Sequence, residues 1–276
     1  MRNQAQDRSA DPAHATGNTP LLAVRDLSIR FGGVNALDHV SFDVAAGQIV
    51  GLIGPNGAGK TSLFNCVSRL YQPTGGSLVF DVSHDLLKLH THQVIHLGIA
   101  RTFQNVALFG RMSVLDNVLV GEHSRIASGP FSSALRLAHA RHAEREAVGR
   151  ALQALDVVEL RKYAAALAGN LPFAIQKRVE LARALVAAPR LLLLDEPAGG
   201  LNHTEVRDLS DLIRRIHRQY QLTILLVEHH MNLVMSISDQ VVVLSFGRKI
   251  AEGPPAVVQN DAAVIEAYLG RASAAA

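Results

Sequence analysis

The sequence predicts an α/β domain: a parallel sheet whose strands alternate with helices, interrupted by an inserted α-helical segment. Three observations carry this reading. Short apolar runs at Gln48 to Ile53, Arg190 to Leu194 and Thr223 to Val227 alternate with stretches of helical spacing. The second run ends at Asp195-Glu196-Pro197 and the third at Glu228-His229-His230. An unbroken apolar run with an acid at its C-terminal edge is what a central parallel strand looks like, and ligands bind at that edge. The first run leads into a glycine-rich turn and then into Leu63, Phe64, Val67 and Leu70, which suit one face of a helix. At 276 residues, 48% hydrophobic and 18% charged, the chain is long enough for one large domain with a sizeable insertion and a real core.

Taken in order, residues 1–20 are polar and alanine-rich without the apolar stretch of a secretory signal, so they read as a disordered tail. Leu22, Val24, Leu27 and Ile29 alternate with polar neighbours, and Val40 to Val44 repeats the pattern; both read as strands. Between them, Phe31 sits at the lip of a Gly32-Gly33 turn. After the helix at Leu63, Pro73-Thr74-Gly75-Gly76 is a turn and Ser77 to Phe80 a strand. The next segment holds His84, His90, His92 and His96, but it has no Cys, and its acids Asp81 and Asp85 lie away from His92 and His96. These are read as surface histidines rather than a metal site.

Ile99 to Gln104 ends a short element and leads into Leu108-Phe109-Gly110. From Ser113 the spacing of Val114, Leu115, Val118 and Leu119 turns helical, and Ala134 to Leu155 is alanine-rich. Arg136, Arg141, Arg145 and Arg150 make a solvated face there, with a loop at Gly129-Pro130. This insertion covers about residues 105–187. Pro172 fits a helix first turn, followed by an apolar face of Ile175, Val179, Ala182 and Leu185. Gln240 to Leu244 and Arg248 to Glu252 close the sheet, Val264 to Leu269 is a terminal helix, and 271–276 is a tail.

A formal net charge of +3 reflects a slight excess of lysine and arginine, with no nucleic-acid-binding tract. The single cysteine, Cys66, excludes an internal disulfide framework and reads as a packed small hydrophobe. No run of about 18 apolar residues is present, so the chain does not span a membrane by itself.

The chemistry concentrates at Gly54-Pro55-Asn56-Gly57-Ala58-Gly59-Lys60-Thr61-Ser62, which fills every fixed position of G-x-x-x-x-G-K-[ST] between a strand and a helix. Glycines aim successive backbone N–H groups inward and the helix adds its positive end, so the turn is an anion site before any side chain acts. Lys60 would reach the terminal phosphates of a nucleotide. Thr61 and Asp195 would hold Mg²⁺, Glu196 would polarise the attacking water, His229 would contact the γ-phosphate, and Gln104 would join metal and water. Taken alone, Gln104 and His229 are ordinary polar loop residues; only the ensemble raises them.

That ensemble resembles the ATP-binding subunits of ABC transporters. The matching stretches are the phosphate loop, Arg-Thr-Phe-Gln104, Leu-Pro-Phe-Ala-Ile-Gln in the signature position, Leu-Leu-Leu-Leu-Asp195-Glu196-Pro197 and Val-Glu-His229, within residues 21–270. Gly-Ile-Ala-Arg-Thr-Phe-Gln104-Asn, Glu-Pro-Ala-Gly-Gly-Leu-Asn202 and Val-Ile-Glu-Ala-Tyr268-Leu-Gly resemble the subunits that serve branched-chain or hydrophobic amino acid uptake.

The resemblance implies a P-loop NTPase core, with a RecA-like parallel sheet, an N-terminal antiparallel β subdomain and the helical insertion. It implies ATP and Mg²⁺ as cofactors and a head-to-tail pair with an identical or homologous subunit, the phosphate loop of one facing the signature helix of the other. It further implies membrane permease subunits as partners at the cytoplasmic face of the membrane, a solute-binding protein acting indirectly, and no nucleic acid. Nucleotide would then touch Phe31, stacked on adenine, the loop from Gly54 to Ser62, and Phe173 and Ala174 of the other subunit.

The signature departs from the family pattern, with Pro172, Phe173 and Ala174 at Ser, Gly and Gly and Ile175 at Gln. An added Cβ at Ala174 matters if φ is positive there. Asn202 and His230 stand where Asp is common in the family. Two other readings exist. A soluble ABC-type ATPase acting on nucleic acid or ribosomes commonly has two nucleotide domains or a long coiled-coil insertion, and this chain has neither. A regulatory module without turnover would not need Glu196.

Overall fold

Apolar alternation over the first strands builds one sheet and unbroken apolar runs build another. A computed structural model of the chain describes residues 19–102, 106–122 and 137–273. Residues 1–18 of the expected 1–20 tail, Gln104, Gly129-Pro130, Arg136 and the last three residues lie outside that set, while Pro20 opens the first strand.

The elements run β1 (Pro20–Phe31), β2 (Val34–Ala45), β3 (Ile49–Ile53), α1 (Lys60–Val67), β4 (Gly75–Phe80), β5 (His84–Asp85), α2 (Thr91–Val94) and β6 (Ile99–Arg101). Three helices follow: α3 (Val114–Glu122), α4 (Leu137–Val157) and α5 (Phe173–Leu185). Then come β7 (Leu191–Asp195), α6 (His203–Tyr220), β8 (Thr223–Val227), α7 (Met231–Ile237), β9 (Gln240–Ser245), β10 (Arg248–Gly253), α8 (Pro255–Val258) and α9 (Ala262–Ser273).

The first sheet has four strands in the order β2-β1-β4-β5, all neighbours antiparallel. The second has six in the order β10-β9-β3-β8-β7-β6, parallel throughout except for β10. Every residue of β3, β7 and β8 is buried. The physical reason is that both faces are covered, so neither face selects polar residues. Val50, Leu52, Leu191, Leu193, Leu225 and Val227 pack toward α1 and the antiparallel sheet. Their neighbours Ile49, Ile53, Leu192, Leu194, Ile224 and Leu226 pack toward the helices of the other face.

The structure refines several expectations. β2 starts at Val34, well before Val40, because it pairs with β1 in a hairpin closed by Phe31 opposite Val34. Ile99–Arg101 is an edge strand beside β7. The helix at the histidine segment is only Thr91–Val94, and His84, His90, His92 and His96 are all exposed, with His90 and His92 stacked at 5.8 Å between ring centres. Cys66 is buried in α1, and burial pushes its thiol up to about 11, away from reactivity at neutral pH. The terminal helix extends to Ser273. Among the described residues no helix is long and apolar enough to cross a membrane.

Candidate nucleotide site

The phosphate loop is shaped by what lies behind it. Gly54 has φ 150°, and a Cβ there would stand 2.1 Å from the Leu244 carbonyl oxygen of β9. Gly59 has φ 104°, and a Cβ would meet the Ala36 carbonyl oxygen of β2 at 2.4 Å. No other residue type fits either backbone. The loop is thus pressed against both sheets. Helix α1 has no acid in its first turn and no side-chain cap, so its positive end faces the loop uncompensated.

Lys60 is buried, and its Nζ donates to the Gly54 and Pro55 carbonyls at 2.7 and 3.0 Å. The ammonium arches back over the cradle. Thr61 is exposed in the first turn and Ser62 half-buried. At the back of the loop, α9 brings Tyr268 to the Gly54 backbone; burial pushes its phenol up to about 12, with the hydrogen bond to Gly54 acting the other way. Helix α9 also lines one cavity with the phosphate loop, Ala263, Glu266 and Ala267 standing with Pro55, Asn56, Gly57 and Ala58 around it.

The acids stand at the C-terminal ends of β7 and β8. Asp195 is buried, and its Oδ2 accepts from Arg101 Nη2 at 2.6 Å. Among the described residues its Oδ1 has no hydrogen-bond partner. A buried carboxylate oxygen so left suits a cation, which is the donor chemistry a hard divalent metal requires. Arg101 was not singled out as a site residue from sequence. Besides Asp195 it donates to Asn65 Oδ1 at 2.8 Å and Ser68 Oγ at 3.1 Å, and its guanidinium lies 5.5 Å from the centre of the Phe64 ring. It ties the acid to the phosphate-loop helix.

Glu196 has a left-handed backbone, φ 47°, a sparsely populated state for a non-glycine residue. Its Oε1 meets His229 Nε2 at 2.6 Å. A carboxylate only accepts, so the imidazole Nε2 carries the proton. The structure places Asp195 and Glu196 at the end of β7 and joins Glu196 to His229, just past the end of the adjacent β8; Lys60 opens α1 after β3, the strand on the other side of β8, and Gln104 lies outside the described residues.

Phe31 is 46% exposed and meets Tyr71 edge-on, with ring centres 5.2 Å apart and planes at 68°. Tyr71 was missed because it follows the helix without any motif around it. Pro172 is the cap residue of α5, and Phe173 and Ala174 form its first turn. Ala174 is not among the residues with positive φ, so its methyl group brings no backbone strain. Phe173 is 44% exposed, lies 5.5 Å from Lys177 Nζ and touches the loop at Gly200. Asn202 caps α6, accepting from Thr204 and Glu205 N–H groups at 3.0 Å each, while Glu205 accepts from Asn202 N–H at 2.9 Å. Asn performs that capping as well as Asp.

The fold and the phosphate loop define an α/β P-loop ATPase. The chain matches the ABC transporter family over residues 37–199 and the branched-chain amino acid ATP-binding cassette transporter family over residues 248–274. It is 45% identical over 253 residues to the high-affinity branched-chain amino acid transport ATP-binding protein LivG of Salmonella typhimurium, covering 92% of this chain and 99% of that one. BraF of Pseudomonas aeruginosa, described in the same words, is 43% identical over the same shares. A nucleotide-free ATP-binding cassette from an ABC transporter superposes with a TM-score of 0.79 at 30% identity, over 91% of this chain and 99% of that one. The chain belongs to the ATP-binding subunits of ABC transporters, in the branch those relatives represent. It is a transport ATPase that binds ATP.

Proposed function

We propose that this subunit hydrolyses ATP to drive uptake of branched-chain amino acids, or of a related small polar solute, through membrane permease subunits at the cytoplasmic face of the membrane. The relatives' names speak for the solute class and give no support to the alternative of action on nucleic acid or ribosomes. The observation that carries the catalytic reading is the Glu196–His229 contact at 2.6 Å, beside Asp195 and the phosphate loop.

In this reading Lys60 and the amides from Gly54 to Ser62 hold the phosphates, and Phe31 stacks on the base. Glu196 orients the attacking water and accepts its proton; His229, whose Nε2–H is otherwise held by Glu196, turns to contact the γ-phosphate when nucleotide is bound. Thr61, Asp195 and Gln104 would hold Mg²⁺, which when bound neutralises charge on the phosphates. The partly exposed Phe173 and the Ala174 amide at the start of α5 serve the nucleotide of a second copy or a homologous subunit. A solute-binding protein acts only through the permease.

Glu196→Gln in the transporter reconstituted with its permease is expected to lower ATP turnover about 10²- to 10³-fold while ATP binding is retained. Unchanged turnover would remove Glu196 from the mechanism. Uptake of radiolabelled leucine into the same vesicles, set against urea and an aromatic acid, decides the solute.

A further inference from the structure

Glu228 lies between β8 and His229 and is 1% exposed. No lysine, arginine or histidine forms an ion pair with it among the described residues. Its two oxygens instead accept three backbone N–H groups. Oε1 takes the N–H of Ala198 at 2.6 Å; Oε2 takes those of His229 at 2.8 Å and His230 at 3.1 Å. Each oxygen therefore holds a different loop. Ala198 belongs to the loop that leaves Glu196, and Gly199 N–H in that loop bonds back to the Glu196 carbonyl at 3.1 Å. The same loop reaches Phe173, at the start of α5, through Gly200, where a Cβ would lie 3.0 Å from the ring.

We infer that Glu228 is a positioning residue: it locks the loop that follows Glu196 to the turn that carries His229, and so sets the geometry of the Glu196–His229 pair. The inference rests on the catalytic reading of that pair. Buried backbone donors require acceptors, and charge-assisted bonds to a carboxylate are the strong, short ones. An amide of the same shape cannot replace it. It offers one oxygen, and its NH₂ group must face either Ala198 N–H or the His229 and His230 pair, donor against donor. Glu228→Gln releases one of the two loops while leaving the phosphate loop untouched.

The test compares wild type, Glu228→Gln, Glu228→Asp and Glu196→Gln in the reconstituted transporter, measuring kcat, equilibrium binding of a fluorescent ATP analogue and thermal unfolding. Glu228→Gln is expected to lower kcat about tenfold to hundredfold, the effect of a small misplacement of reacting groups. Analogue affinity stays within about twofold, the mark of a loss confined to the reaction step. Glu228→Asp, which keeps both acceptor oxygens, recovers part of that loss. Wild-type kcat in Glu228→Gln, with Glu196→Gln inactive, would overturn the inference and leave the catalytic pair standing. If Glu196→Gln is active as well, the reading of the pair itself falls. A kcat loss matched by equal losses of nucleotide affinity and thermal stability would show general support of the fold and also overturn the positioning role. One measurement needs no variant: in ¹⁵N-labelled wild-type chain the Ala198 amide is expected to be shifted downfield and protected from exchange, and rapid exchange there would overturn the inference.

Discussion

The Arg101–Asp195 pair shows how much a single residue can hold. Both side chains are largely buried, at 14% and 2% exposure, and the one guanidinium serves an acid on β7 and two groups on α1. Truncating one partner of such a pair leaves a charge buried without compensation, at a cost of about 3–5 kcal/mol. Arg101→Gln is expected to show a loss of that size in denaturant unfolding. Arg101→Lys keeps the charge but not the planar fork that reaches Asp195, Asn65 and Ser68 together, so it recovers only part of the loss. Full stability of Arg101→Gln would mean that Asp195 finds another partner. The sequence announced Asp195 because an acid after Leu191-Leu192-Leu193-Leu194 is conspicuous. It did not announce Arg101, whose partners lie 33 to 94 positions away along the chain.

Elements were legible where their signal is local. An unbroken apolar run is written in consecutive residues, so β3, β7 and β8 could be read from the sequence, and so could the strand–loop–helix order around Lys60. What ties elements together is not local. The stretch after Gln104 is an example: Ala107 N–H donates to Glu180 at 2.9 Å, and Arg183 Nη1 donates to the Ala107 carbonyl at 2.7 Å. Both partners sit on α5, and nothing in the α5 sequence marks them. Burial holds the Glu180 carboxyl above its ordinary range, with the Ala107 N–H, Lys177 and Arg183 acting the other way. A carboxyl whose folded pKa is raised binds protons more tightly in the folded state. Its contribution to stability is therefore greatest below the unfolded value and declines as pH rises through the folded one. Thermal unfolding from pH 4 upward, at constant ionic strength, is expected to show this decline in the wild type and a flatter profile in Glu180→Gln. Identical profiles would place the titrating group elsewhere.

At the scale of the whole molecule, the two apolar cores place every strand-end residue of the site on one edge of the sheet, yet Phe173 and Phe31 keep 44% and 46% of their surface open to solvent. An exposed aromatic costs hydrophobic free energy unless something covers it in the working state. In the proposed head-to-tail pair, the nucleotide of a second subunit and the surface around it do so. Turnover then needs two chains, and the specific ATPase activity of the isolated subunit is expected to rise with chain concentration before it levels off. Phe173→Asp puts a charge where a phosphate would approach. It is expected to move that rise to higher concentration while leaving ATP binding to the monomer unchanged, because in that pair Phe173 meets the nucleotide held by the other subunit's phosphate loop. Specific activity independent of concentration, in chain that sedimentation shows to be monomeric throughout, would mean that one subunit carries a complete site and that Phe173 serves something other than nucleotide.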